Sequence, residues 1–219
     1  MRTVVLTGAS GNLGQAVAAA FAGENVVLLD VRPPSGEGVF IQTNLLDAQS
    51  VQAAVDQVRQ RFGRIDVLCN LAGGFRMGAP VHETSDKDWD FLFNLNARTV
   101  LNMAKAVVPG MIKSGGGKIV NVGAYAAQKG AARMGAYIAS KSAVIRLTET
   151  MAAELREQNI NVNCVLPTII DTPENRAAMP DADPRKWVAP QDLAAVVLFL
   201  ASDAARAIHG AAIPVTGLS

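Results

Sequence analysis

Near the amino terminus an apolar run, Arg2-Thr-Val-Val-Leu-Thr7, stops at Gly8 and gives way to Ala9-Ser-Gly11-Asn-Leu-Gly14 and then to the alanine-rich Gln15–Phe21. Continuous β-branched residues without polar alternation predict a strand buried on both faces, as in a parallel sheet. The glycines predict a tight turn, and the alanines a helix beyond it. Strand, glycine turn and helix in that order aim backbone N–H groups and a positive helix end at one point, where a pyrophosphate can bind. The order restricts the fold to a parallel sheet with helices packed on it.

The pattern continues. Val26-Val-Leu-Leu-Asp30 reads as a second buried strand, ending in a carboxylate about twenty residues beyond the glycines, where dinucleotide-binding folds hold a ribose diol. Asp30 there would accept from both hydroxyls and repel a 2′-phosphate, favouring NAD over NADP. Arg32 weighs the other way, and a carboxylate at a strand end also serves as an ordinary turn residue. Val39–Gln42 reads as strand three. Ala48 to Phe62 carries Val51, Val55 and Val58 at helical spacing and stops at Gly63, and Ile65 to Leu68 reads as strand four. This β-α-β-β-α-β alternation predicts an α/β fold, a Rossmann-type doubly wound parallel sheet of about seven strands with helices on both faces.

Past strand four, Asn70-Leu-Ala-Gly73-Gly74-Phe75 places glycines at the carboxyl end of a central strand, where a ligand approaches the backbone, or where the chain simply turns. A helix capped by Ser85 or Asp86 is expected from about Lys87 to Met111. It contains Asn94, Asn96 and Asn102, middling helix formers whose presence implies side-chain roles or solvent exposure. Strand five is expected at Lys118–Val122 and strand six at Asn161–Leu166. Between them lie a loop from Gly123 to Met134 without Ser, Thr, Asp, Glu or His, and a helix reaching about Glu157. Glu174–Val188, rich in Pro, Asp and Arg, reads as a mobile flap. A last helix from Pro190 to about Ser202 precedes an edge strand at Ile213–Val215.

Within the helix before strand six stand Tyr137 and Lys141, four apart and therefore on one face. An unperturbed phenol has a pKa near ~10, and an ammonium beside it favours the phenolate, so the pair can form a tuned general acid or base. Such a pair also arises by chance on helices, and its chemistry rests on the rest of the chain.

With 219 residues, one domain spanning 1–219 is expected. Half of the residues are hydrophobic, the net charge is +1, and Lys and Arg form no cluster that could track a phosphate backbone, so nucleic acid is not an expected partner. No apolar run reaches the ~18 residues of a membrane span, and Met1-Arg2 leads straight into a strand rather than a signal peptide, so no membrane partner and a cytoplasmic location are expected. Cys69 and Cys164 read as buried free thiols. His82 and His209 lack further ligands at usable spacing, so no metal is expected.

Taken together, Thr7-Gly8-x-x-Gly11-x-x-Gly14, Asp30, Asn70-x-Ala72-Gly73, Asn96, Tyr137-x-x-x-Lys141 and Pro167 to Pro173 resemble the short-chain dehydrogenase/reductase family over essentially the whole chain. Two departures stand out. Asn12 occupies the place of a usual glycine, which Asn tolerates because it accepts a left-handed backbone. The family's catalytic serine, thirteen residues before the tyrosine, is Ala124 here. Losing a donor of that kind costs roughly 2.7–4 kcal/mol where it stabilises an oxyanion.

Alanine for serine, the glycine spacing, Leu68-Cys69-x-x-Ala72-Gly73-Gly74, and the run from Leu166 through Asp171-Thr172-Pro173 to Trp187 are similar to the quinoid dihydropteridine reductase branch. That resemblance implies an NADH-dependent reductase of a conjugated imine or quinonoid. The alternatives are a carbonyl reductase or alcohol dehydrogenase working without the serine, and a non-catalytic NAD-binding regulatory protein. It further implies Tyr137 as proton donor, Lys141 as its acidifier and ribose ligand, and Asn96 as support for Lys141. The cofactor would be held by Gly8, Ser10, Gly11, Asn12, Leu13, Gly14, Asp30, Asn44, Leu45, Asn70, Ala72, Gly73, Pro167, Ile170 and Thr172. Phe75, Ala124 and Met134 would face a small-molecule substrate. A homodimer or homotetramer formed through the two long helices is also implied.

Overall fold

A computed structural model describes residues 1–219. Seven strands form one parallel sheet in the order β3-β2-β1-β4-β5-β6-β7. They are β1 (Thr3–Thr7), β2 (Asn25–Asp30), β3 (Val39–Gln42), β4 (Val67–Asn70), β5 (Gly117–Val122), β6 (Ile160–Pro167) and β7 (Ala212–Val215). The expected Rossmann-type architecture is present.

Side chains alternate between the two faces of each central strand, and both faces are covered. Val4, Leu6, Val26 and Leu28 pack with Val17 of α1 (Asn12–Ala20), Phe21 just beyond it, and Val197 and Leu200 of α7 (Pro190–Leu200). Val5, Val27 and Leu29 point the other way, onto Val51, Val55, Val58, Met103 and Val107 of α2 (Ala48–Phe62) and α4 (Thr99–Lys113). This double burial is why the strands read as unbroken apolar runs.

The chain runs outward from β1 to β2 and β3, then crosses back so that β4 lies beside β1. The strand order thus reverses at β1 and β4, and the carboxyl ends of the strands at such a reversal are where parallel sheets bind ligands. Gly8, at φ 65°, sits so close to the loop after β4 that a Cβ would lie 2.7 Å from both the Ala72 Cα and N. The Thr7 hydroxyl accepts from the N–H groups of Leu71 and Ala72 at 3.1 and 3.2 Å.

Two expectations need correction. Helix α1 begins at Asn12 rather than Gln15, so Gly14 is helical, and a Cβ there would lie 2.7 Å from the Ala9 Cα. The helix expected from Lys87 to Met111 is not regular: α3 (Asp86–Phe93) leads into a π-helical turn, Asn94–Arg98, before α4. A π turn adds one residue to the local repeat and changes the face on which the following side chains emerge. The segment read as a flap, Glu174–Val188, contains most of α6 (Pro173–Ala178) and a 3₁₀ turn at Pro184–Lys186, and an Ile170–Val188 bridge lies where Trp187 and Val188 enter the interior.

Candidate active site

The glycine turn ends at Gly11, the residue before α1, and no side chain caps that helix. Its first N–H groups therefore have no internal side-chain acceptor, which fits a pyrophosphate oxygen. Beside it, Asp30 Oδ2 accepts from the Ser10 N–H and hydroxyl at 2.9 and 2.8 Å, and Oδ1 accepts from the Val31 N–H at 2.7 Å. Burial opposes its charge, but these donors, with the Arg32 N–H, outweigh it and hold the carboxyl below its ordinary range. The residues present fit an adenosine dinucleotide: an uncapped helix end, a turn with glycine at residues 8 and 11, and a fixed carboxylate.

Asn44 and Leu45 follow β3, and the Leu45 carbonyl accepts from the buried Asn102 Nδ2 at 2.8 Å. Asn102 thus has a side-chain role, whereas Asn94 is exposed. Asn70, buried at the end of β4, donates to Asn121 Oδ1 at 2.8 Å, and Asn121 donates to Thr148 at 2.8 Å. This chain ties β4 and β5 to α5 (Gly135–Leu155). Pro167 ends β6. The Ile170 carbonyl accepts from Asn175 Nδ2 at 2.7 Å, and the Thr172 hydroxyl caps α6 by accepting from the Asn175 N–H at 3.2 Å.

Tyr137 opens α5, which has no side-chain cap, and Lys141 lies one turn on, 5% exposed. The Lys141 Nζ donates to the Val122 carbonyl of β5 at 2.8 Å. Burial pushes its ammonium down to about 8, with Cys164 opposing. Burial alone pushes the Tyr137 phenol up to about 12. The expectation that Lys141 makes this phenol acidic is therefore not met in this structure: the ammonium faces a backbone carbonyl, and desolvation of the phenolate dominates.

Asn96 sits in the π turn, 1% exposed, and exchanges bonds with Gly74: Oδ1 accepts from its N–H at 2.9 Å and Nδ2 donates to its carbonyl at 3.1 Å. The same Nδ2 donates to the Ser140 hydroxyl at 3.0 Å, which donates to the Tyr137 carbonyl at 2.8 Å. Asn96 thus braces α5 against the loop after β4. A Cβ on Gly73 would meet both Asn96 Oδ1 and Lys141 Nζ at 2.9 Å, so the three groups converge there. Ser140 escaped the sequence reading, although its spacing of three from Tyr137 on one helix was a usable signal.

On the substrate side, the Phe75 ring meets that of Tyr137 edge to face at 4.9 Å and is 55% exposed. Ala124 is buried with Val144, Ile145, Cys164 and Leu166, and Tyr137 packs on that cluster. Met134 immediately precedes α5. Across the cleft, the Asn12 Nδ2 donates to Glu174 of α6 at 2.8 Å, a link from the glycine turn to the flap that the sequence did not signal.

An open helix end after β1, and a half-buried Tyr137 one turn before the buried Lys141, define a dinucleotide-dependent oxidoreductase. The family model described as enoyl-(acyl carrier protein) reductase matches residues 8–217. D-threitol dehydrogenase of Mycolicibacterium smegmatis is 34% identical, covering 99% of this chain and 92% of that protein. Among solved structures, ligand-free aldohexose dehydrogenase of Thermoplasma acidophilum superposes with a TM-score of 0.91 at 30% identity, covering 99% and 93% of the two chains. NAD⁺-bound xylitol dehydrogenase does so with 0.87 at 29% identity, covering 99% and 98%. The chain belongs to the short-chain dehydrogenase/reductase family and is an NAD(P)-dependent oxidoreductase. No helix is long and apolar enough to cross a membrane.

Proposed function

We propose that the chain interconverts a secondary alcohol and its carbonyl compound with NAD(H), with Tyr137 exchanging the proton. The observation that carries this reading is that Lys141 and Asn96 converge on Gly73, while Asn96 braces Tyr137 through Ser140 one helical turn before Lys141. Relatives that match along nearly the whole chain act on a polyol or on sugars by name, which supports alcohols over other hydride acceptors. A bound nicotinamide would supply or accept the hydride. The protein's own part is to hold and to protonate.

The Gly8–Gly14 turn, with Ser10, Asn12 and Leu13, would grip the pyrophosphate, and Asp30 the adenosine ribose, which favours NAD over NADP. Asn44, Leu45, Asn70, Ala72 and Gly73 would wall the adenosine half of the cleft. Pro167, Ile170 and Thr172 would hold the nicotinamide end, with Lys141 on its ribose. Phe75, Ala124 and Met134 would face the substrate. Asn96 acts on the backbone and on Ser140 rather than on substrate, so its role is positioning. Self-association through α4 and α5 as a homodimer or homotetramer belongs to the same reading and is checked by sedimentation velocity.

Measuring NADH oxidation over a panel of ketones, sugars and quinonoid imines tests the proposal. The Tyr137→Phe variant should lose at least about a hundredfold in kcat. Turnover at the wild-type rate in that variant would end the assignment.

The second reading, reduction of a conjugated imine or quinonoid as in dihydropteridine reductase, is favoured by Ala124. An acceptor that takes hydride readily needs no second donor beside Tyr137, whereas an ordinary ketone would need a water or backbone N–H in place of the serine. Ala124→Ser separates the two: ketone reduction should rise by about a hundredfold if a donor is what the site lacks, while quinonoid reduction stays level.

A further inference from the structure

We propose that Arg133 is a specificity-determining residue that selects substrates bearing a carboxylate a few bonds from the reacting carbon. The inference rests on the oxidoreductase reading of the Tyr137 cleft and names its substrate class.

Arg133 adopts a left-handed backbone, φ 61°, in a chain where nearly every other positive φ belongs to glycine. A bulky side chain there costs stability that glycine would not, and such outliers gather at functional sites. The conformation is held in place. Gly78 N–H donates to the Arg133 carbonyl at 2.8 Å, and Arg133 Nε donates to the Gly78 carbonyl at 3.2 Å. This reciprocal pair ties the loop after β5 to the loop after β4 and sets Arg133 on the wall of a narrow recess shared with Arg76, Met134 and Tyr137.

The two guanidinium groups of this recess differ. Arg76 is paired with Asp88 and lies over the Phe91 ring at 4.3 Å, so its charge is compensated. Arg133 is in no ion pair, and its terminal nitrogens have no partner within the chain. No acidic residue occurs from Gly123 to Arg133. One uncompensated planar fork, anchored through Nε and left with two terminal NH₂ groups, is suited to a carboxylate. Arg133 and Tyr137 line the same recess, so an anion held at Arg133 would leave the remainder of a short molecule within reach of the proton donor.

The test measures binding by quenching of NADH fluorescence in the protein–NADH complex, using 4-oxopentanoate, 5-oxohexanoate and their methyl esters. The wild type should bind at least one acid about tenfold more tightly than its ester. That preference should fall to within about twofold in Arg133→Gly and in Arg133→Gln. Arg133→Gly also relieves the backbone, so its melting temperature should be no lower than wild type, and loss of fold cannot account for the result. Arg133→Gln keeps the side-chain length and controls for added flexibility. Absence of any preference in the wild type, or its persistence in either variant, overturns the proposal. NADH oxidation is recorded separately: its absence with every compound counts against the alcohol–carbonyl reading, while the acid–ester comparison still decides the role of Arg133.

Discussion

Tyr137 with a phenol near 12 and Lys141 with an ammonium near 8 divide the two directions of the reaction. At neutral pH the phenol is protonated, as a donor to a nascent alkoxide must be, whereas alcohol oxidation needs its conjugate base. Ketone reduction should therefore hold a plateau from pH 6 to about 7.5 and decline above about 8 as Lys141 loses its charge. Alcohol oxidation should climb with pH across that interval. Initial rates in both directions between pH 6 and 10 check this. The sequence identified the pair from its spacing of four, but not the sign of the phenol's shift. Spacing places two side chains on one face; which acceptor the ammonium reaches, here the Val122 carbonyl, depends on a strand that pairs with the helix only after folding.

Helix α1 and the π turn show how an element carries the site. Gly14 lies one turn into α1, against the backbone of the Gly8–Ala9 turn, which cannot move aside as a flexible side chain would. Gly14→Ala should destabilise the protein by about 2–3 kcal/mol and weaken NADH binding; urea titration and NADH fluorescence read the two effects. The strand–turn–helix order was legible because turn chemistry is local. The π turn at Asn94–Arg98 was not. Asparagines in a helix can face water as Asn94 does, or reach the interior as Asn96 does, and the reciprocal bonds to Gly74 that distinguish them join segments 22 residues apart. Asn96→Ala should lower kcat more than it raises KM, while Asn96→Asp, which retains an acceptor for the Gly74 N–H, should recover part of the loss.

For the protein as a unit, burying Lys141 has a thermodynamic signature. Its folded value near 8 lies below the ordinary 10.5, so between those values the unfolded chain holds more protons and stability rises with pH. Below 8 the cost of burying the charge is present in full, on the order of 3 kcal/mol. Tyr137 acts oppositely: its value rises from 10 to about 12, so above 10 the unfolded chain loses its proton first and stability falls. The urea midpoint should climb from pH 8 to about 10 and then decline, and Lys141→Met should lack the climb.

Repeating apolar runs, turn glycines and their order along the chain were enough to define a parallel sheet, its helices and the end of the sheet that carries the cleft, because periodicity and turn chemistry act between near neighbours. The strand exchange at β1 and β4, the brace from Asn96 through Ser140 to Tyr137, the Asn12–Glu174 link and the uncompensated charge of Arg133 arise from contacts between distant segments. Those contacts depend on how whole elements pack, which no local pattern encodes.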